Sequence, residues 1–299
     1  MQQLQRYSAI VDDPEAFLRC ADEPLPRAVW VNTLRAPADD AAAWIRERCP
    51  EAEPLPWLPA TWRVPPGTAA GKWPEFALGL LHTQEEVALW PVMALDPQPG
   101  EAVLDMCAAP GNKTAQIAVA MGDRGYILAN EISRKRLESL QNNIARMGLS
   151  SVAVSHGSGT EIRGEGRFDR VLVDAPCTCE GTTRKRPGRQ ASSTEDDWHK
   201  MAALQKGLLR RAVALTRPGG SVVYSTCTYA PEENEGVLSG VDPEQAVIEP
   251  LRGAFAERGD AGITAWEGSE FRRDVVHAAR FWPHHNDTGG FFVARLRRL

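Results

Sequence analysis

Beyond residue 100 the chain repeats one unit: a short apolar run, a turn, then a longer segment with helical spacing. AVLDMC (102–107), YILANE (126–131), VAVSH (152–156), FDRVLVDAP (168–176) and SVVYSTC (221–227) read as strands. Lys113–Met121, Arg134–Met147 and residues 195–215 read as helices, with Gly148 as the C-cap of the second. Strands and helices in alternation bury their apolar surfaces as a mostly parallel sheet covered on both faces, so the pattern predicts an α/β fold. Pro231 onward predicts a helix start over 231–239, and FFVARL after Gly289-Gly290 a closing strand. Ligands and chemistry collect at strand tips in such sheets. Thr226-Cys227-Thr228 stands at one of them, on a rigid element able to aim a thiol.

Residues 1–90 lack this rhythm. Pro14–Cys20 predicts a helix begun after Asp12 or Asp13, Arg27–Leu34 a strand, and Asp39–Arg48 a helix. Pro50, Pro54, Pro56, Pro59, Pro65 and Pro66 predict an extended or looped stretch over 50–67. His82–Leu95 predicts a joining helix, and Asp96-Pro97-Gln98-Pro99-Gly100 a break. The expected division is a small N-terminal α+β domain over residues 1–95 and a catalytic domain over 96–299. Trp30, Trp44, Trp57, Trp62 and Trp73 predict packing, with base stacking open to one or two of them.

No run of eighteen apolar residues occurs, so no membrane span is expected. The N-terminus lacks a signal pattern, and six cysteines without framework spacing read as reduced thiols in a cytoplasm. A formal net charge of -5 argues against broad non-specific nucleic-acid affinity and leaves room for a local basic groove. Arg184, Lys185, Arg186 and Arg189 are its first candidate. Arg272, Arg273 and Arg280, and Arg295, Arg297 and Arg298, form looser sets.

DMCAAPGNKT (105–114) follows a strand and opens a helix. Ala108, Ala109 and Gly111 let a ligand approach the backbone, and the free N–H groups of the helix suit an anionic ligand end. Glu131 ends the next strand, where a carboxylate can take both hydroxyls of a ribose. The layout suits an adenosine cofactor, and neither GxGxxG nor a GxxxxGK[ST] phosphate loop occurs.

Together DMCAAPGNKT, NEISRKRLESLQNN, FDRVLVDAPCTCEGTTRK, YSTCTYAPEENE and DTGGFFVARL resemble the ordered motifs of the Nol/Nop/Sun RNA (cytosine-5)-methyltransferases, which include bacterial Sun- and RsmF-like enzymes. The resemblance covers residues 80–299, with an echo at PRAVWVNTLR. It implies a Rossmann-like methyltransferase fold, S-adenosylmethionine as donor, cytosine in ribosomal or transfer RNA as acceptor, and a small RNA-binding N-terminal unit. Matched by position, Cys107, Ala108, Ala109, Pro110, Gly111, Asn112 and Lys113 form the donor loop, Glu131 the ribose carboxylate, Asp174 and Cys177 the DAPC motif, and Cys227 the nucleophile. Arg136, Ser158 and Asp174 complete the expected donor site. The chain departs from the family in three places. Asn112 stands where Gly is usual and predicts a turn that asparagine tolerates in left-handed backbone. Ser158 stands near the usual acidic adenine contact. DAPCTCEG replaces DAPCSGxG and adds Cys179.

In the implied chemistry Cys227 attacks C6 of cytosine, Cys177 assists release, Asp174 bonds the cytosine edge, and Lys113 orients Asp174. Cys20 and Cys49 read as small buried hydrophobes. No CxxC pair or clean histidine partner is present, so no metal is expected. His284 and His285 read as turn caps or phosphate contacts. A monomer is expected. Two other readings remain: DNA cytosine methylation using Cys177 of the Pro-Cys pair, and a catalytically silent RNA-binding scaffold.

Overall fold

The computed structural model describes residues 2–185 and 193–299. Helix α1 (Gln2–Gln5) is followed by α2 (Pro14–Cys20), which starts as its sequence dictates. Asp13 caps it by accepting the Ala16 N–H at 2.9 Å, and Pro14 takes the first turn, where no amide hydrogen is needed. Strands β1 (Arg27–Val31), β2 (Glu53–Pro54), β3 (Thr61–Val64) and β4 (Leu81–Gln84) form an antiparallel sheet in the order β2-β3-β1-β4. Helix α3 (Ala38–Arg48) covers it, burying Ala41 and Ile45 with Val29, Val31 and Trp62. The one-turn helix α4 (Pro74–Ala77) leads into β4.

The joining helix expected over His82–Leu95 is not formed as one element. Residues 81–84 instead pair with the open edge of β1, from Ala28↔Gln84 to Val31↔Leu81. A 3-10 turn follows at Val87–Leu89, and only Trp90–Leu95 is helical (α5), with Pro91 in its first turn. The edge pairing of LHTQ and a proline four residues before Leu95 divide what looks in sequence like one periodic stretch.

The large sheet holds β5 (Ala102–Asp105), β6 (Tyr126–Glu131), β7 (Val152–His156), β8 (Phe168–Asp174) and β9 (Thr216–Thr226), all parallel. Strands β10 (Ala246–Glu249), β11 (Asp260–Ala261), β14 (Ala279–Phe281) and β15 (Phe291–Arg298) extend it by antiparallel pairing, and β12 (Ala265–Trp266) and β13 (Ser269–Glu270) make a separate hairpin. The order is β11-β14-β15-β9-β8-β5-β6-β7, with β10 also on β15. Helices α5, α6 (Asn112–Ala120) and α7 (Arg134–Met147) contribute to the core on one face and α8 (Glu195–Leu215) to that on the other. Gly148 closes α7 in left-handed backbone (φ 70°), as the sequence predicts. Pro231–Asn234 is a turn, and helix α9 occupies only Glu235–Leu238, ahead of the one-turn α10 (Pro283–Asn286). This is the Rossmann-like methyltransferase architecture. Its chain moves outward from β5 to β6 and β7, then returns to β8 on the other side, making a crevice at the strand tips.

The amino-terminal segment reaches across the carboxy-terminal region. Tyr7, Phe17, Tyr229 and Trp282 form one aromatic cluster, with Tyr229 stacked on Trp282 at 5.4 Å. The two sheets also join: Asn32 donates to the carbonyls of Gly79 and Met147, and Arg146 meets His82 Nδ1 at 2.7 Å.

Candidate active site

Parallel register brings the two cysteine motifs together. Asp174 is the register partner of Ser225, and the Ala175 N–H continues the ladder to the Ser225 carbonyl. Just past these strand ends, Cys177 Sγ lies 3.3 Å from Cys227 Sγ and 3.9 Å from Cys179 Sγ. The Gly181 N–H fixes the loop by donating to the Cys227 carbonyl at 2.9 Å. From below, Gln205 of α8 donates to the Pro176 carbonyl and to Glu233, both at 2.7 Å, while Glu233 accepts the Thr178 N–H. Burial raises the Glu233 carboxyl to about 7.

Asp174 is held from two sides. Lys113 Nζ lies 2.7 Å from Asp174 Oδ2, and Ser225 Oγ donates to Oδ1 at 2.8 Å. Both carboxylate oxygens are thus fixed. Within the thiol group, hydrogen bonds from Cys177 and Cys227, opposed by burial and aided by the Lys185 charge, hold Cys179 low. For Cys227 the hydrogen bond with Cys177 pulls down, but that with Cys179 and burial outweigh it, so its thiol is raised. The same neighbours and burial raise Cys177.

The small-residue loop after β5 borders the same space. Gly111 takes the left-handed backbone (φ 98°), and a Cβ there would come within 2.9 Å of Leu140 Cδ1. The turn therefore rests on Gly111, and Asn112 is simply the first residue of α6, with no left-handed strain to absorb. Asp105, on the tip of β5, accepts from Thr114 Oγ1 at 2.6 Å, but its other oxygen has no partner although the side chain is buried. Desolvation raises this carboxyl to about 7. Glu131 is buried and accepts the N–H groups of Ala109 (3.3 Å) and Ser133 (2.7 Å), with Arg136 Nη1 3.4 Å away. Arg136 also donates to the Ala109 carbonyl. Burial raises the Cys107 thiol.

A cavity of about 870 Å³ joins these parts. Cys107–Pro110, Asn112, Lys113, Arg136, Asp174 and Cys227 line it, as do Asp105, Phe291 and Lys185. Arg27 and the Pro66–Lys72 loop supply its wall from the amino-terminal unit. Gly111, Glu131 and Cys177 are not among the residues that line it. Ser158 does not reach the cavity and bonds Thr160 Oγ1 at 2.8 Å.

Among the described residues, most of the arginines that the sequence offered for a basic groove are engaged within the fold. Arg184 is only 2% exposed and donates to the carbonyls of Glu23, Pro24 and Thr288 and to Asp287. Lys185 pairs with Glu85 at 2.6 Å, while Arg186 and Arg189 lie outside the described residues. Arg280 is buried against Glu235, Arg272 pairs with Asp274, and Arg295, Arg297 and Arg298 bind carbonyls, Ser221 or Glu249 of the sheet. These guanidinium groups hold loops and strands. His284 and His285 both turn Nε2 to Asp12, at 3.0 and 2.9 Å. Trp30 and Trp62 are buried, and Trp57 lies under Arg258, so these indoles are packing groups.

A family model described as 16S rRNA methyltransferase RsmB/F matches residues 92–297. The chain belongs to the RsmB/F family. It is 36% identical over its whole length to ribosomal RNA small subunit methyltransferase F of Erwinia tasmaniensis, and spans 63% of that protein. It is 35% identical to the tRNA (cytosine(49)-C(5))-methyltransferase of Pyrococcus abyssi, with 99% of this chain and 95% of that one aligned. A methyltransferase homolog protein from Pyrococcus horikoshii superposes with a TM-score of 0.86 at 33% identity, covering 99% of this RsmB/F chain and 94% of its own. The RsmB/F motifs in the sequence do not mark Ser225, Glu233, Gln205 or Asp105 as parts of the site. Each supports the site through tertiary contacts, and only the Ser225 position, two residues before Cys227, carried a local signal.

Proposed function

We propose that this chain is an S-adenosylmethionine-dependent RNA methyltransferase that forms 5-methylcytosine in ribosomal or transfer RNA through a bond between Cys227 and C6. The observation that carries the reading is the pair of thiols 3.3 Å apart on adjacent parallel strand ends, beside the Lys113–Asp174–Ser225 arrangement. The relatives' names supply both RNA classes.

C5 of cytosine is a weak nucleophile. Addition of the Cys227 sulfur to C6 breaks the ring's aromaticity and makes C5 carbanion-like. Asp174, fixed by Lys113 and Ser225, bonds the cytosine edge as charge develops there. S-adenosylmethionine supplies the electrophilic methyl group that C5 takes. Cys177 assists loss of the C5 proton, after which Cys227 leaves and the double bond returns.

The residues present fit the donor. Asp105 offers an unpartnered buried oxygen at the cavity, suited to a cationic ligand group. Cys107–Pro110 border the space with small side chains, Glu131 would hold the ribose hydroxyls, and Arg136 would close the rim. Residues 1–95 act as the RNA-guiding unit, with exposed Arg27 and Lys72 at the cavity wall. The enzyme works as a cytoplasmic monomer, and its methyl transfer needs no metal.

The test is a denaturing gel with labelled RNA and the methyl donor. Cys177→Ala is expected to hold RNA covalently and Cys227→Ala to show neither adduct nor methylation. The reverse pattern would favour chemistry through Cys177. No adduct in either variant and no turnover in the parent would leave an RNA-binding scaffold.

A further inference from the structure

The spacing of cysteines in the chain gives no metal motif, yet the fold assembles three thiols. Cys177 and Cys179 come from the loop after β8, and Cys227 from the end of β9. Their sulfurs all lie within 4.8 Å of one another, with two separations of 3.3 and 3.9 Å. A tetrahedral zinc–thiolate centre has Zn–S bonds of about 2.3 Å, which places sulfurs roughly 3.8 Å apart. The observed separations bracket that edge length.

Cys179 supplies an independent observation. Its backbone is left-handed (φ 62°), a conformation that costs a residue with a Cβ of order 1 kcal/mol or more. The side chain is exposed, so core packing does not account for the cost. In this conformation the Cys179 sulfur lies 3.2 Å from the Cys177 carbonyl and turns toward the other two thiols. Cys179 and Cys227 both line the cavity, which leaves a fourth position accessible to water or a small ligand. Three thiolates and a divalent cation carry one net negative charge, and Lys185, whose charge acts on both Cys179 and Cys227, stands on the same wall.

We propose that Cys177, Cys179 and Cys227 form a three-thiolate site for a thiophilic d¹⁰ cation such as zinc or cadmium, open at its fourth position to the cavity. Binding displaces the thiol protons and changes no oxidation state. A second consequence rests on the activity proposed above: an occupied site removes Cys227 from reaction, so the cation inhibits methyl transfer.

The experiment titrates cadmium into the full, reduced, metal-free chain in the presence of a competing chelator. A thiolate-to-cadmium absorption band should saturate at one ion per chain. Cys179→Ser and Cys179→Gly should each lower affinity by at least the roughly 10–100-fold typical of losing even an outer-shell partner. The glycine variant also relieves the left-handed backbone, so circular dichroism should show it folded. Cys49→Ser, at a buried thiol outside the cluster, should leave the affinity unchanged. No saturating band, or equal affinity in the parent and both Cys179 variants, overturns the site. In parallel, zinc inhibition is read as a fraction of each protein's own metal-free rate. A parent that binds cadmium through this cluster but never methylates RNA keeps the site and fails the activity reading. An active parent without the band does the reverse.

Discussion

Replacing Arg184 with alanine separates a structural arginine from a phosphate contact. Its guanidinium donates to three carbonyls and one carboxylate while almost wholly enclosed. The Thr288 carbonyl is buried, and leaving it unpaired costs about 1–3 kcal/mol. The contacts to Glu23 and Pro24 are partly wet, about 0.5 kcal/mol each after water replaces the donor, and the half-exposed Asp287 pair contributes at most about 1 kcal/mol. The sum is about 3 kcal/mol. With an unfolding entropy of about 2.1 cal/mol/K per residue over 299 residues, that corresponds to a Tm lower by about 5 °C in a cooperative transition. Scanning calorimetry reads the loss. RNA affinity measured over a range of salt should keep its slope, because no phosphate contact is removed. An unchanged Tm with a slope shallower by about 0.7, the value for one contact on a single strand, would refute this account and return Arg184 to the RNA surface.

Two further outcomes follow from the geometry. Burial, then the Arg146 charge, lowers His82 to about 4. An unfolded histidine titrates near 6.5, so as pH falls from about 6.5 to 4 the unfolded chain gains a proton that the folded chain refuses, and stability drops by up to about 3 kcal/mol. His82→Phe should lose less stability than the parent between pH 7 and pH 5 in urea denaturation, and equal losses would exclude His82 as the source. Lys113→Met removes the ammonium from Asp174 while Ser225 remains, and single-turnover methyl transfer should slow by about 10²-fold; an unaltered rate would end the orienting role.

The parallel sheet was readable because its strands are apolar runs and most are separated by helices of clear periodicity. Gly148 and the Pro14 start are local signals, and local signals survive folding. The expected joining helix divided because β1 offered an edge that residues 81–84 complete, a fact held in the partner strand. The arginine sets misled for the same reason: charge is visible in sequence, but the carbonyls that surround Arg184, Arg295 and Arg298 come from distant segments. The motif thiols could be named by resemblance, whereas the third thiol's approach depends on the β8–β9 register and one left-handed residue.

The position of β15 bears on the order in which the site becomes usable during synthesis. It pairs with β9, the strand whose end precedes Cys227, and its first residue, Phe291, walls the cavity, yet it is translated long after β9. A nascent chain that has made β9 but not β15 lacks the pairing partner of that edge beside Cys227. Gly181 then also lacks the Gly290 amide that accompanies this pairing. Without β15 the edge of β9 is unpaired and the cavity lacks its Phe291 wall, so the site is complete only once the last strand has docked.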